Sequence, residues 1–202
     1  MSKKTAVLSL HVIVSVLLLS GCLMTIGAPL AKRIKPNSWT FEGAFSIMNP
    51  FEQTPPGSAA YFYAGHSLGK HFEIGVLPFF YFTNTTGILS NITSSAIALP
   101  IKWDPFDYES PFHLSLYAAP CWYTGDIEGF LLYEGLGLSY YFPFPLEIYA
   151  SYSIPYYGFQ LFTLSVGSRY YITPHLAVGT NFTLVEPLAY GFTLSLTTML
   201  GP

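Results

Sequence analysis

Two thiols are the side chains of this 202-residue chain with the widest choice of chemistry. Cys22 ends an apolar run, LLLSGC, near the N-terminus, and Cys121 lies far along the chain. A cysteine in such a position can form a disulfide, remain a thiol or be modified by the cell. The residues in front of Cys22 decide among these, because they also determine where the protein is delivered.

The N-terminal stretch MSKKTAVLSLHVIVSVLLLSGC has the three parts of a secretory signal. Two lysines form the basic part, residues 6–19 form the apolar part, and the small residues Ser20 and Gly21 precede the cysteine. The alternative, a membrane-spanning anchor, requires about 20 apolar residues, and this run is shorter. We therefore interpret residues 1–21 as a signal peptide.

The quartet from Leu19 to Cys22 resembles the lipobox of bacterial lipoproteins. This resemblance implies that the Cys22 sulfur receives a diacylglyceryl group, that the chain is cleaved before Cys22, and that the new amino terminus is acylated, for example with palmitate. Two or three acyl chains anchor a protein stably, since each buried methylene contributes about 0.8 kcal/mol. The expected partners are outer-membrane lipids and the lipoprotein-processing machinery. Leu23 replaces the Asp that retains enteric lipoproteins in the inner membrane, which favours the outer membrane.

Residues 22–37 are predicted to form an acylated tether, because two prolines discourage regular structure there. A short basic cluster in this tether suits an anionic membrane surface. A solvated linker is the alternative that remains open. The cluster consists of Lys32, Arg33 and Lys35.

The composition excludes an ordinary soluble domain. Charged residues make up 9% of the chain, against about 25% in typical soluble proteins. Aromatic residues reach 18% and mean hydropathy is +0.41. Beyond residue 22 no stretch approaches the roughly 18 consecutive apolar residues of a membrane helix, and apolarity spread in this way indicates a transmembrane β-barrel. The net charge of -3 and the lack of later basic clusters give no indication of nucleic-acid binding.

From residue 38 onward the apolar residues recur with period two, and turn signals separate the runs. We expect residues 38–202 to form an all-β, antiparallel up-and-down transmembrane barrel of ten strands, with eight strands as the alternative. An even number returns the C-terminus to the side of the N-terminus, which the lipid holds at the periplasmic face. Prolines within the strands require a bulge, a kink or a strand end. The predicted strands are 38–48, 58–68, 71–82, 91–103, 111–123, 129–142, 145–154, 158–172, 175–185 and 189–200.

The alternation has two interpretations, which differ in the direction of the apolar face. In a lipocalin-like soluble barrel the apolar face points inward, whereas in a membrane barrel it meets lipid. The polar face here consists mostly of Gly, Ser, Thr, Ala and Tyr and has very few charges. A surface so poor in charge does not suit water, so we predict that it lines a narrow lumen. Cys121 falls on this lumen side, and with Cys22 acylated it has no disulfide partner within the chain.

Nearly all the charged residues of the strands fall on the lumen side near the periplasmic end. We expect them to form a hydrogen-bonded ion network that closes the lumen, because unpaired charges enclosed in this way are costly. A narrow gate or a site for a polar ligand is the alternative. Glu134 is the exception, since its register places it on the lipid side and therefore requires a bulge or a rim position. The predicted network consists of Glu42, Glu73, Lys102, His113, Glu147 and Arg169.

The sequence gives little indication of an enzyme. It contains no GxSxG, and the serines of the outer rim have no histidine nearby to act as a base. Asp126 and Glu128 are typical of a solvated turn, and no group of residues has metal-ligand spacing, so neither a metal nor another cofactor is predicted. We predict a non-enzymatic structural or envelope-maintenance protein, folded by the barrel-assembly machinery. The alternatives are a narrow channel for small solutes, a lipid-modifying enzyme and a lipocalin-like carrier.

Overall fold

The period-two alternation becomes antiparallel β-strands in the computed structural model, which describes residues 32–50, 57–83, 91–125, 129–156, 162–186 and 189–201. Cys22, the signal peptide, Asp126 and Glu128 lie outside the described residues. No helix within the described ranges is long and apolar enough to span a membrane. The strands are β1 (Trp39–Pro50), β2 (Gly57–Leu68), β3 (Phe72–Thr83), β4 (Asn91–Ala98), β5 (Ile101–Trp103), β6 (Phe112–Gly125), β7 (Gly129–Tyr141), β8 (Leu146–Tyr156), β9 (Phe162–Thr173), β10 (Leu176–Glu186) and β11 (Ala189–Leu200).

The sheet closes on itself between its first and last strands. β1 and β11 pair over their whole lengths, from Trp39 opposite Leu200 to Pro50 opposite Ala189. β4 and β5 are two parts of one barrel strand, since both lie between β3 and β6. Ten strands therefore surround the barrel, which confirms the predicted fold and makes the eight-stranded alternative wrong.

The gap between β4 and β5 lies at Pro100. Leu77 pairs with Ala98 and Ile74 pairs with Ile101, so both strands advance by the same number of residues and the register is continuous. The strand is interrupted because proline has no N–H to donate, although its carbonyl still accepts a hydrogen bond from the Gly75 N–H at 2.9 Å. The requirement for a strand end at proline therefore holds here.

Two other prolines stay inside their strands without any shift. Pro78 pairs with Ile97 in β4, and Pro120 pairs with Leu132 in β7. The register shift that β3 does show against β4 lies further along, between Tyr81 and Phe82. Our expectation of a bulge is therefore wrong at these two prolines.

The two faces of the sheet differ sharply in chemistry. Large apolar side chains cover the outside of the barrel, and small hydroxyl side chains are buried inside it. This excludes the soluble lipocalin-like alternative, in which the apolar face points inward. Examples on the outside are Trp39, Ile47, Phe62, Phe80, Ile97, Leu116, Trp122, Leu136, Ile148, Leu164 and Leu194. Examples on the inside are Ser46, Ser151, Ser153, Thr163, Ser165, Thr183, Thr193, Ser195 and Thr197.

Tyrosine rings fill the space left by inward-facing glycines. A Cβ added at Gly75 would lie 2.6 Å from the ring of Tyr63, and one at Gly167 would lie 2.5 Å from both the ring of Tyr149 and the carbonyl oxygen of Thr180. These rings therefore occupy the space where a side chain of the neighbouring strand would stand. They allow a barrel of ten strands to be filled by its own side chains.

Glu134 lies on the outer face of β7, where a carboxylate meets lipid. The strand pairs with β6 and β8 in continuous register, so the predicted bulge is absent from it. Glu134 is exposed and stands opposite Ala118 and Ile154. Replacing it with leucine should raise the free energy of unfolding by about 1 kcal/mol, measured by urea unfolding in lipid vesicles. Glu109→Leu, in an exposed loop, is the control, and a loss of stability in Glu134→Leu would contradict a lipid-facing position.

Candidate functional site

The six predicted lumen charges lie at one end of the barrel, which we call the N-terminal mouth. This end is formed by Ser38 and by the connections 69–71, 104–111, 142–145 and 173–175. Each of the six side chains is at most 1% exposed. Glu42, Glu73, Glu147 and His113 lie near the first residues of their strands, and Lys102 and Arg169 lie near the last residues of theirs.

Arg169 joins two carboxylates from different sides of the lumen. Its Nη1 lies 3.3 Å from Glu147 Oε1 and Oε2, and its Nη2 lies 3.6 Å from Glu42 Oε2. Glu147 is its direct partner on the adjacent strand β8, whereas Glu42 comes from β1, beyond β10 and β11. The guanidinium carbon also lies 4.2 Å from the centre of the Tyr149 ring. One cation therefore fixes both carboxylates across the barrel.

Hydroxyl groups occupy further positions on these carboxylates. Tyr61 Oη donates to Glu42 Oε1 at 2.6 Å, and Thr197 Oγ1 donates to Glu42 Oε2 at 2.9 Å. Tyr171 Oη donates to Glu147 Oε2 at 3.0 Å. A buried carboxylate is stable only when its lone pairs are occupied in this way. Tyr61 and Thr197 were not among the predicted site residues, although the period-two pattern places both on the lumen side of strands next to β1.

Glu73 is the centre of a second group, which includes a residue from the predicted tether. Lys32 Nζ lies 3.2 Å from Glu73 Oε1 and 4.3 Å from the centre of the Tyr63 ring. Tyr63 Oη donates to the same oxygen at 2.6 Å. Lys102 stands directly opposite Glu73 on β5, and its ammonium donates to the main-chain carbonyl of Lys32. Lys32 is only 2% exposed, so the chain just before β1 enters the barrel.

His113 forms the third group with Asp104, which follows β5. Its Nδ1 lies 2.7 Å from Asp104 Oδ2 and its Nε2 lies 2.8 Å from the carbonyl oxygen of Ser110. Both partners are acceptors, so only the doubly protonated imidazolium can donate to both. Asp104 is also held from the backbone, because its Oδ1 accepts from the Phe106 N–H at 2.9 Å.

We call the three groups together the charged layer. Four carboxylates, of Glu42, Glu73, Asp104 and Glu147, face the cations of Lys32, Lys102, Arg169 and His113. The layer is therefore electrically balanced when His113 carries its proton. Asp104 was missed because it lies in a turn sequence, although alternation from Lys102 places it on the lumen side. Nothing in the local sequence distinguishes Lys32 from a tether residue.

The described part of the predicted tether packs into the N-terminal mouth. We call residues 32–38 the mouth segment. Ile34 is 1% exposed, and the Ser38 N–H donates to Ser67 Oγ at 2.8 Å. The three basic residues thus separate, because Lys32 enters the charged layer, Arg33 lies between two tyrosine rings, and Lys35 lies 3.5 Å from the Gly201 carbonyl oxygen. For Lys32 alone, burial makes a position on a membrane surface or in a solvated linker wrong.

The lumen is also filled beyond the charged layer. Ser46 and Thr193 hydrogen-bond across the β1–β11 pair at 2.7 Å, and Ser165 and Thr183 do so across β9–β10 at 2.8 Å. Cys121 is buried and forms no disulfide with any residue that the structure describes. It belongs to a buried cluster made mostly of alanines and aromatic rings, with Ala59, Tyr61, Tyr63, Leu77, Phe79, Ala96, Ala98, Tyr117, Ala119, Tyr123 and Tyr133.

The three other histidines of the described ranges have no catalytic arrangement. The ring of His66 packs against Trp39 with centroids 4.5 Å apart, His71 Nδ1 lies 2.9 Å from the Asp104 carbonyl oxygen, and His175 is exposed. Within the described ranges, no histidine ring contacts a serine hydroxyl at hydrogen-bond distance. Those ranges also hold no group of three or more side chains placed to bind a metal ion.

Comparison with solved structures gives similar barrels at low sequence identity. The KdgM porin is 9% identical over 80% of this chain and 98% of that one, with a TM-score of 0.48. An outer membrane channel from Pseudomonas putida F1 is 11% identical over 83% and 97%, with a TM-score of 0.47. Neisserial surface protein A is 16% identical over 81% and 95%, with a TM-score of 0.37. These are likenesses of fold alone, and the closed barrel with its apolar outer face is itself what agrees with the predicted outer-membrane class. No protein-family model matches the chain, and no curated protein sequence matches it.

Proposed function

We propose that the protein is an outer-membrane β-barrel with a closed lumen, which is anchored by lipid on Cys22 and has a structural or envelope-maintenance role without enzymatic activity. The observation that carries the proposal is the filling of the lumen. Three layers of side chains block the axis: the mouth segment, the charged layer, and the tyrosine and hydroxyl side chains beyond it. A barrel filled in this way offers solutes no continuous path.

Lipidation of Cys22 fits the position of the mouth segment. Ten residues separate Cys22 from Arg33 in the sequence, which allows a reach of roughly 35 Å between them. The lipid then inserts into the leaflet nearest the N-terminal mouth. Since the signal delivers the lipidated cysteine to the periplasm, we place this mouth at the periplasmic face of the outer membrane.

Conductance in planar bilayers tests the closed lumen. The purified full-length protein should give no stepwise current over a range of voltages, whereas a porin reconstituted in the same way gives steps. Ohmic currents that disappear or change in Arg169→Ala would contradict the proposal, because they would place Arg169 in a conducting pathway.

Metabolic labelling with palmitate tests the anchor. The wild-type protein should incorporate the label and Cys22→Ser should not, while Cys121→Ser should be labelled as strongly as the wild type. Incorporation into the Cys22→Ser protein would contradict acylation at this cysteine.

A narrow channel is the second candidate, and one observation favours it. The mouth segment is not part of any strand of the barrel wall. The N-terminal mouth is therefore closed partly by a segment that no β-ladder holds. A segment of this kind can move without unfolding a strand. In the channel hypothesis the charged layer selects small ions or solutes after the mouth segment has moved away.

A further inference from the structure

A cavity of about 500 Å³ opens beside the N-terminal mouth, outside the charged layer. Its polar end is formed by Arg33, Tyr141 and Tyr171, and its apolar end by Phe144, Leu146 and Ile172. The volume lies within the range of small-molecule sites, about 300–1,000 Å³. A cation at one end and an apolar surface at the other suit an amphiphile.

Arg33 is a cation without an anionic partner in this cavity. Its guanidinium lies between the rings of Tyr108 and Tyr141, at 4.1 and 4.0 Å from their centres. Nη1 donates to the Tyr108 carbonyl oxygen at 3.3 Å, whereas Nε is buried and has no hydrogen-bond partner. Across the described residues no carboxylate lies within ion-pair distance of Arg33. The two rings hold the guanidinium in place and leave its charge available to an anion.

The acidic groups nearby are already engaged or face water. Glu147 is bound by Arg169 and by the hydroxyl of Tyr171. Asp107 lies 4.0 Å from Lys70 at the exposed surface, and Glu109 is exposed in the same loop. None of these carboxylates forms an ion pair with Arg33 in the cavity.

The cavity lies at the level of the membrane interface. Aromatic side chains at the ends of the strands form a girdle around this mouth, as they do where barrels meet the headgroups. Two of them, Tyr140 and Tyr170, directly precede the cavity residues Tyr141 and Tyr171. The others on the outer face are Trp39, Phe72, Trp103 and Phe112.

The apolar end of the cavity continues onto the lipid-facing wall. Phe144 and Ile172 are 54% and 57% exposed. An acyl chain that runs along the barrel would cover them, while a phosphate at the interface would lie beside Arg33. We propose that this cavity binds an anionic phospholipid of the surrounding leaflet, with the headgroup phosphate on Arg33 and an acyl chain on Ile172 and Phe144.

The chemistry distinguishes this occupant from the protein's own predicted anchor. A thioether-linked diacylglyceryl group and an N-terminal amide carry no negative charge, so neither gives Arg33 a counterion. A free phosphate would bind Arg33 but would leave the apolar end uncovered. The site depends only on the barrel crossing a membrane, and it is independent of whether the lumen conducts or Cys22 is acylated.

Native mass spectrometry of the full chain in detergent tests the site. Phosphatidylglycerol should bind about tenfold more tightly than phosphatidylcholine with the same acyl chains, because the choline ammonium of phosphatidylcholine offsets its phosphate charge and is repelled by Arg33. Arg33→Gln should abolish this preference. Lys35→Gln should keep it, because Lys35 belongs to the same mouth segment and lies outside the cavity lining.

A second pair of variants keeps the test decisive if Arg33→Gln fails to fold. Thr173 is exposed and lines the cavity. Thr173→Glu should weaken binding of phosphatidylglycerol and Thr173→Lys should strengthen it. Neither variant should change binding of phosphatidylcholine to the same extent. Equal affinity for the two lipids in the wild type would overturn the proposal. Displacement of phosphatidylglycerol by inorganic phosphate at millimolar concentration would also overturn it, since the site would then be one for a small anion.

Discussion

Replacing Arg169 with methionine should lower the free energy of unfolding by about 3–5 kcal/mol. The guanidinium lies between Glu42 and Glu147, and all three side chains are buried. Methionine fills a similar volume but leaves two carboxylates facing each other without a cation. Urea unfolding in lipid vesicles, followed by tryptophan fluorescence, measures the loss. Lys70→Met is the matched control, because the exposed pair of Lys70 with Asp107 at 4.0 Å should contribute at most about 1 kcal/mol.

A rescue variant separates the charge of Arg169 from its packing. In the triple variant Arg169→Met, Glu42→Gln, Glu147→Gln, neutral amides replace the two carboxylates that lost their cation. Most of the lost stability should return, because neutral side chains of the same shape remove the buried charge. If the single variant is as stable as the wild type, the charged layer is not an ion network. If the triple variant is no more stable than the single one, packing of the guanidinium is the larger contribution.

The strands and their faces were predictable because they depend on local order in the sequence. β11 covers residues 189–200 as predicted, since its apolar and hydroxyl residues alternate without interruption. Alternation also gives the direction of each side chain once a strand is identified. Glu147 and Arg169 therefore appear on the lumen side in the sequence, and the antiparallel register of β8 and β9 brings them to the same end of the barrel.

Lys32 could not be predicted, because its position depends on a residue 41 positions away. The stretch around it, LAKRIKPN, has neither period two nor a cap or turn pattern. Its burial results from the charge of Glu73, which has to be balanced inside the barrel. Pro78 is a similar case. Whether β3 can hold a proline at this position depends on which carbonyl groups of the neighbouring strands need a hydrogen-bond donor.

Charge reversal at Lys32 should release the mouth segment while the barrel stays folded. Lys32→Glu places a second carboxylate beside Glu73, which keeps Lys102 as its partner across the strand pair. A cysteine introduced as Ile34→Cys reports the release, because Ile34 is 1% exposed and the thiol is shielded while the segment is bound. Lys32→Glu should accelerate its labelling by a maleimide about a hundredfold, the factor expected from the loss of a buried pair. Lys35→Glu in the same background should leave the rate near that of the parent.

Two further measurements on the Lys32→Glu protein distinguish the candidate functions. The shift in gel mobility between boiled and unboiled samples should remain, since every strand pair of the described barrel is intact without the mouth segment. Slow labelling of Ile34→Cys would show that Lys32 does not hold the segment. If labelling is fast and bilayers show no current, the charged layer and the filled lumen beyond it close the barrel by themselves, as a structural role requires. If current appears only when the segment is released, the segment is a gate and the protein is a channel.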